Sequence, residues 1–200
     1  LPFYKLCKPI AYLFAVWITW WRKNVSLELR LIAEIGLIGQ PNSGKSTLLK
    51  CLTKANVKIG DYPFTTLFPN LGTLKVLDRE IIVADIPGLI EGASEGKGLG
   101  QDFLRHIDRT HSLIHLIAAN ETPNKALENY FITINELKNS PYNLLNKNIL
   151  TILSKSDMVT EQTINETITL FSENSITLYD VSSFTNKGIG RLIKDILRLV

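Results

Sequence analysis

Residues Gly39-Gln40-Pro41-Asn42-Ser43-Gly44-Lys45-Ser46 stand between the apolar run Leu31-Ile32-Ala33-Glu34-Ile35-Gly36-Leu37-Ile38 and the helix-like Thr47-Leu48-Leu49-Lys50-Cys51-Leu52. An apolar strand that feeds a glycine-bounded loop ending in Lys-Ser is the pattern of a phosphate-binding loop. The loop must wrap its anion closely enough for backbone N–H groups to point at the oxygens, so glycines stand at 39 and 44, where a Cβ would obstruct the approach. Lys45 supplies charge for the β- and γ-phosphates of a nucleotide, and the Ser46 hydroxyl is placed to ligate Mg²⁺.

The alternation of short apolar runs with amphipathic stretches from Leu31 onward predicts an α/β fold of the P-loop NTPase type, a three-layer sandwich on a mostly parallel sheet. Six strands are expected: Leu31–Ile38, Leu71–Leu77, Glu80–Ala84, Ser112–Ala118, Asn148–Leu153 and Ser175–Tyr179. About five helices are expected: Lys45–Thr53, Leu99–Arg109, Asn124–Asn139, Glu161–Glu173 and Gly188–Leu199. Asp78-Arg79 joins the second and third strands at hairpin spacing, so one antiparallel edge strand is expected. Two long connections, residues 54–70 and 85–100, have the length, proline content and glycine density of segments ordered by a bound nucleotide.

Two hundred residues with 45% apolar content suffice for one domain plus an extension. The net charge of +3 is spread along the chain and permits contact with an anionic partner without demanding it. Cys7 and Cys51 have no metal-ligand spacing, which suits a reducing, cytoplasmic setting. Residues 1–24 differ in character: the apolar run Ile10–Trp21, flanked by Lys8 and Arg22-Lys23, spans only about 18 Å as a helix, against a hydrocarbon core of about 30 Å. A small-residue cleavage site does not follow it. An atypical extension over 1–24 and a domain over 25–200 are therefore expected, with membrane attachment the less favoured reading. The start at Leu1 instead of Met predicts a fragment.

After the strand Glu80–Ala84 comes Asp85-Ile86-Pro87-Gly88, where the carboxylate can reach Mg²⁺ through water and the glycine N–H can approach a γ-phosphate. Thr65 and Thr66 lie between this motif and the phosphate loop, so that one hydroxyl can complete the metal shell. Ser154-Lys155-Ser156-Asp157 follows the apolar run Asn148–Leu153. A carboxylate accepts from guanine N1–H and the 2-amino group together, a pairing adenine cannot offer, so GTP and GDP are the expected ligands. Lys155 would lay its stem over the purine, and in Ser182-Ser183-Phe184, after the sixth strand, a backbone N–H can meet the guanine O6.

The stretches Asp61-Tyr62-Pro63-Phe64-Thr65-Thr66-Leu67-Phe68-Pro69-Asn70-Leu71-Gly72, Asp85–Ala93 and Gly96–Thr110 resemble the G domain of the Obg GTPases, from about Val25 to the C-terminus. The resemblance implies a GTPase that associates with the large ribosomal subunit and its RNA and assists late assembly. It implies nucleotide-binding segments at Gly39–Ser46, Phe64–Phe68 (Phe64, Thr65, Thr66, Leu67, Phe68), Asp85–Gly88 (Asp85, Ile86, Pro87, Gly88), Ser154–Asp157 and Ser182–Phe184, with Ser46 and Thr66 as Mg²⁺ ligands. The family's glycine-rich N-terminal domain has no counterpart in residues 1–24, and Ser154 stands where the family usually has Asn. A hydroxyl does not reproduce a carboxamide bridge between base and phosphate loop.

Ras-like GTPases place Gln after the D-x-x-G motif, whereas Leu89 stands here and cannot orient water. Hydrolysis is therefore expected to be slow, no faster than about 10⁻⁴–10⁻³ s⁻¹. Catalysis would rest on Lys45, Mg²⁺, Thr66, the Gly88 N–H and Asn42, since the resemblance includes GTPases in which Asn at this position holds K⁺ against the phosphates. His106, His111 and His115 are read as structural. A monomeric cytoplasmic switch of ribosome assembly is the leading expectation. The alternatives are a membrane-tethered regulatory G domain, as in ferrous-iron transporters, and a remnant that binds nothing.

Overall fold

The computed structural model describes residues 33–53, the backbone of 57–59, and residues 70–86, 107–140 and 144–200. The strands are β1 (Ala33–Ile38), β2 (Val57–Ile59), β3 (Asn70–Val76), β4 (Arg79–Asp85), β5 (Thr110–Ala118), β6 (Asn148–Ser154) and β7 (Leu178–Asp180). They form one sheet in the order β2-β3-β4-β1-β5-β6-β7. From β4 to β7 every pairing is parallel, whereas β2–β3 and β3–β4 are antiparallel. The helices are α1 (Lys45–Thr53), α2 (Pro123–Lys138), α3 (Glu161–Glu173) and α4 (Ile189–Leu199).

Alternation along each central strand sends side chains into two cores, one on each face. Ile35 and Leu37 of β1 with Ile114 and Leu116 of β5 pack against Leu48, Leu49 and Leu52 of α1 and Leu192 and Ile196 of α4. On the other face Leu113 and Leu137 share one cluster, while Ile117 and Leu153 meet Ala126 of α2 and Ile164 and Phe171 of α3. The result is the expected three-layer sandwich. Gly36 lets the layers close at the centre, because a Cβ there would stand 2.9 Å from Ile86 Cδ1 and 3.1 Å from Leu113 Cδ2.

Six strands match those expected, and a seventh, β2, falls inside the stretch read as irregular. Three residues are too few for a periodic signal, and β2 exists through its pairing with β3, Val57 opposite Gly72 and Ile59 opposite Asn70. The outer edge is thus β2, not β3. The hairpin turn is Leu77-Asp78, one residue earlier than expected: Val76 pairs with Arg79, and Leu77 takes φ 53° at 93% exposure. The last strand starts at Leu178, not Ser175. Residues 174–176 instead close α3, with Ser175 at φ 61° and N–H groups of Ser175 and Ile176 bonded to the carbonyls of Ser172 and Phe171.

The helix expected over Leu99–Arg109 lies outside the described residues except at its end, where Ile107 and Asp108 are helical. The apolar run Ile10–Trp21 also lies outside them. Among the described residues no helix is long and apolar enough to cross a membrane.

Candidate nucleotide-binding site

Parallel strands bring their C-terminal ends to one edge of the sheet, where loops of an open α/β fold gather ligand-binding groups. Here that edge collects the loop after β1, Asp85 at the end of β4, Ser154 at the end of β6 and the segment after β7. The β1–α1 loop is tight. Gly39 has φ 143°, and a Cβ on it would stand 2.5 Å from the Leu116 carbonyl oxygen, while Gly44 has φ 94°. Asn42 between them is exposed and takes φ 61°, a left-handed conformation that Asn tolerates better than most side chains.

α1 opens at Lys45, with its first backbone bond running from Leu48 N–H to the Gly44 carbonyl. Its leading N–H groups and dipole favour an anion in front of them. The Lys45 ammonium, 7% exposed, donates to the carbonyls of Gly39 and Gln40, both at 2.9 Å. Burial lowers its pKa, and the nearby Asp85 charge opposes that shift. Ser46 Oγ donates to Asp85 Oδ2 at 2.5 Å, and Asp85 is 4% exposed. These are two hard oxygen donors held face to face. Among the described residues no group of three or more His, Cys, Asp or Glu could hold a metal alone. The Ser46–Asp85 oxygen pair suits Mg²⁺, which is ordinarily held by one or two protein oxygens together with phosphates and water.

The base-reading segment is built equally locally. Lys155 takes φ 58° and caps a single 3₁₀ turn, Ser156–Met158, with its Cγ and Cε 3.9 Å from where a Cβ on Gly44 would lie. Asp157 Oδ1 accepts from Ser182 Oγ at 2.6 Å, and that hydroxyl in turn accepts from the N–H groups of Phe184 at 3.2 Å and Thr185 at 3.0 Å. Ser182 is fully buried while Phe184 is 85% exposed. The structure therefore brings together Gly39–Ser46, Asp85, Ile86, Ser154–Asp157 and Ser182–Phe184. Phe64, Thr65, Thr66, Leu67, Phe68, Pro87, Gly88 and Leu89 lie outside the described residues, as do most of the two long connections that carry them.

Two features were not legible in the sequence. A cleft of about 60 Å³ lies between Gln40, Pro41 and Asn42 and the residues Asn120, Glu121 and Asn129, with Asn129 Nδ2 donating to Glu121 Oε2 at 2.8 Å. Asn120-Glu121 follows β5 after Ala119, so the strand-end rule that located the other loops was the available signal. The second is His115, whose ring is fully buried and stacked on Tyr130 at 5.3 Å, with neither nitrogen hydrogen-bonded among the described residues. Burial, reinforced by the Lys45 charge, pushes its pKa down to about 3. His111 lies 3.3 Å from Ser112 Oγ, and His106 lies outside the described residues.

His115 links stability to pH. Its folded pKa lies below its ordinary value, so between about 3 and 6.5 the unfolded chain binds more protons and stability falls as pH falls. Acidification from about pH 7 to about pH 5 should cost roughly 2 kcal/mol through this group. His115→Phe keeps a ring against Tyr130 and should flatten that slope. Urea midpoints of parent and variant at the two pH values measure it, and equal losses would show that the ring is not held neutral.

A mostly parallel sheet carrying this phosphate loop, the Ser46–Asp85 oxygen pair and a positioned carboxylate beyond β6 define a P-loop GTPase domain. The sequence model described as "50S ribosome-binding GTPase" matches residues 34–155, and the chain belongs to that family. Its similarity to the Obg GTPases holds over most of its length. It is 43% identical over 177 residues to GTPase Obg of Rickettsia felis, covering 88% of this chain and 53% of the relative. It is 44% identical over 173 residues to GTPase Obg of Finegoldia magna, covering 86% and 41%. The chain thus spans about half the length of these relatives. The cytosolic domain of L. pneumophila FeoB shares the fold, with TM-score 0.62 and 22% identity over 82% of this chain and 67% of that one.

Proposed function

We propose that this chain is a cytoplasmic, monomeric GTP-binding switch that hydrolyses GTP slowly and acts on the large ribosomal subunit. The observation that carries the reading is the convergence, on one sheet edge, of a buried ammonium, a Ser–Asp oxygen pair and a carboxylate oriented by Ser182. Lys45 would exchange its carbonyl partners for β- and γ-phosphate oxygens. Ser46 would turn its hydroxyl to Mg²⁺, with Asp85 taking a metal-bound water. The bound metal supplies charge neutralisation at the phosphates. Thr66 and Gly88 are assigned to the metal and the γ-phosphate from the family resemblance. Asp157 would accept from guanine N1–H and N2, while Lys155 covers the ring and an N–H of the Ser182–Phe184 segment meets O6.

The ribosomal partner is supported by the family's description and by relatives named GTPase Obg at 43% and 44% identity. Those similarities favour this reading over a transporter's regulatory domain, with which the likeness is one of fold. Titration with GDP tests the nucleotide site, and co-sedimentation with 50S subunits in GDP and in a non-hydrolysable GTP analogue tests the partner. Co-sedimentation that ignores the nucleotide would remove the switch role.

Potassium dependence is inferred from Asn42, an exposed residue of the phosphate loop that lines the same cleft as Glu121. A monovalent cation between the Asn42 amide oxygen and the phosphates would offset developing charge without an arginine finger. GTP hydrolysis should be roughly ten-fold faster in K⁺ than in Na⁺ at equal ionic strength, a difference of about 1.4 kcal/mol. Asn42→Ala should erase the difference. Equal rates for the parent in both salts would leave activation to a partner.

A further inference from the structure

The two helical layers of the sandwich differ in charge. On one side α4 holds Arg191, Lys194 and Arg198 against the single Asp195, and α1 adds the exposed Lys50 and has no acidic residue. On the other side α3 holds Glu161, Glu166 and Glu173 with no Lys or Arg, and the Lys and Glu residues of α2 balance. Positions 191, 194 and 198 recur at i, i+3 and i+7, which places the three exposed cations on one face of α4. At about 1.5 Å per residue this stripe runs roughly 10 Å. The opposite face of the helix, Ile189, Leu192 and Ile196, is buried in the core.

Asp195 orders the stripe more than it neutralises it. Its carboxylate accepts from the Tyr179 hydroxyl at 3.0 Å and from Arg198 Nη1 at 3.3 Å, with Arg191 Nε at 3.9 Å. The Arg191 guanidinium carbon also stands 3.9 Å from the centroid of the Tyr179 ring. One carboxylate engages only part of the donor set of two guanidinium groups, whose side chains are 62% and 80% exposed. A guanidinium already held by a ring and a carboxylate loses less freedom when it meets an anion.

We propose that the exposed face of α4 is a docking surface for the phosphate backbone of structured RNA, with Arg191, Lys194 and Arg198 as its contacts. The inference rests on the ribosomal reading above and names the chemistry of that partner and the face that meets it. Three cations over roughly 10 Å match about three phosphates of one duplex strand, at about 3.4 Å each along the axis. Such contacts position a nucleic acid without reading its sequence. The acidic α3 layer is repelled by the same partner, so the charge difference also sets which side approaches. A membrane is disfavoured, because an amphipathic helix binds lipid through its apolar face and α4 has committed that face to the core.

Anisotropy titration of the intact chain with a short fluorescein-labelled RNA duplex of mixed sequence, between about 50 and 200 mM KCl, tests the surface. The parent should bind with an affinity that falls steeply with salt. Replacing Arg191, Lys194 and Arg198 together by Gln should flatten the slope of log K against log salt by about 0.9 per lost contact and weaken binding roughly ten-fold or more at about 0.1 M. Circular dichroism of the same sample checks the fold. A folded triple variant with the parent's slope and affinity would overturn the proposal. So would a parent that ignores the duplex, or one that binds phosphatidylserine vesicles in its place. If the triple variant does not fold, Lys194→Glu decides alone: it should lower the slope by about one and weaken binding about three-fold or more, and parent-like binding would overturn the proposal. A parent that binds the duplex through these residues but does not co-sediment with 50S subunits would remove the ribosomal reading and leave the surface standing.

Discussion

Lys45→Ala should lower affinity for GTP and GDP by roughly 10²–10⁴-fold while leaving the domain folded. The ammonium is the single side-chain charge placed to meet the phosphates within Gly39–Ser46, a loop otherwise built from backbone N–H groups. Two charge-assisted bonds at about 1.5–3 kcal/mol each account for a loss of that order. The fold should survive, because α1 starts from a backbone bond between Leu48 and Gly44, and the substitution removes a charge that burial already disfavours. Fluorescent-GDP titration with circular dichroism of the same sample measures both. A variant that is folded and binds as tightly as the parent would show that Gly39–Ser46 is not the phosphate site.

Asp157→Asn should exchange guanine for xanthine preference. Asp157 Oδ1 accepts the Ser182 hydroxyl at 2.6 Å, and an Asn can keep that bond through its own carbonyl oxygen, so the loop geometry held by Ser182 and the Phe184 and Thr185 N–H groups should persist. The amide nitrogen then faces the base. It repels the N1–H and 2-amino donors of guanine and donates to the 2-oxo group of xanthine. Loss of two charge-assisted bonds should weaken GDP by about 10²-fold or more, with XDP gaining relative to it. Competition between GDP and XDP decides the matter, and an unchanged preference for GDP would move base recognition to another residue.

The fold was legible wherever one period dominated. α1 and the strands β1, β4, β5 and β6 are short apolar runs or amphipathic stretches with clear stops, and α3 runs over Glu161–Glu173 as its pattern requires, opened by Thr160, whose hydroxyl accepts from Thr163 N–H. Readings drifted where a residue served two elements. Ile176 is apolar and β-branched like a strand residue, yet its N–H returns to Phe171 and belongs to the end of α3. Leu77 is apolar and reads as strand, yet it sits at the exposed tip of a hairpin, where the two-residue turn takes a left-handed conformation.

The site divides in the same way. Lys45, Ser46, Asp85 and Asp157 announce themselves because their chemistry needs particular residue types at particular strand ends. The contacts that hold them do not. Nothing in the sequence pairs Ser182 with Asp157 or Ser154 with Ser43, since each bond joins segments that only the sheet order brings together. His115 reads as an ordinary strand residue, and its neutrality follows from burial on the face that β5 turns toward Tyr130 of α2.

The bond from Ser154 to Ser43 joins positions 111 residues apart in the chain. Local opening of the phosphate loop alone would leave the buried Ser43 carbonyl without its partner, and such a loss costs about 1–3 kcal/mol when the group stays out of water. Strand β6 is interior to the sheet, paired to β5 over seven residues and to β7 over three, so its end is among the last places to fray. The phosphate loop therefore borrows its resistance to hydrogen exchange and proteolysis from β6.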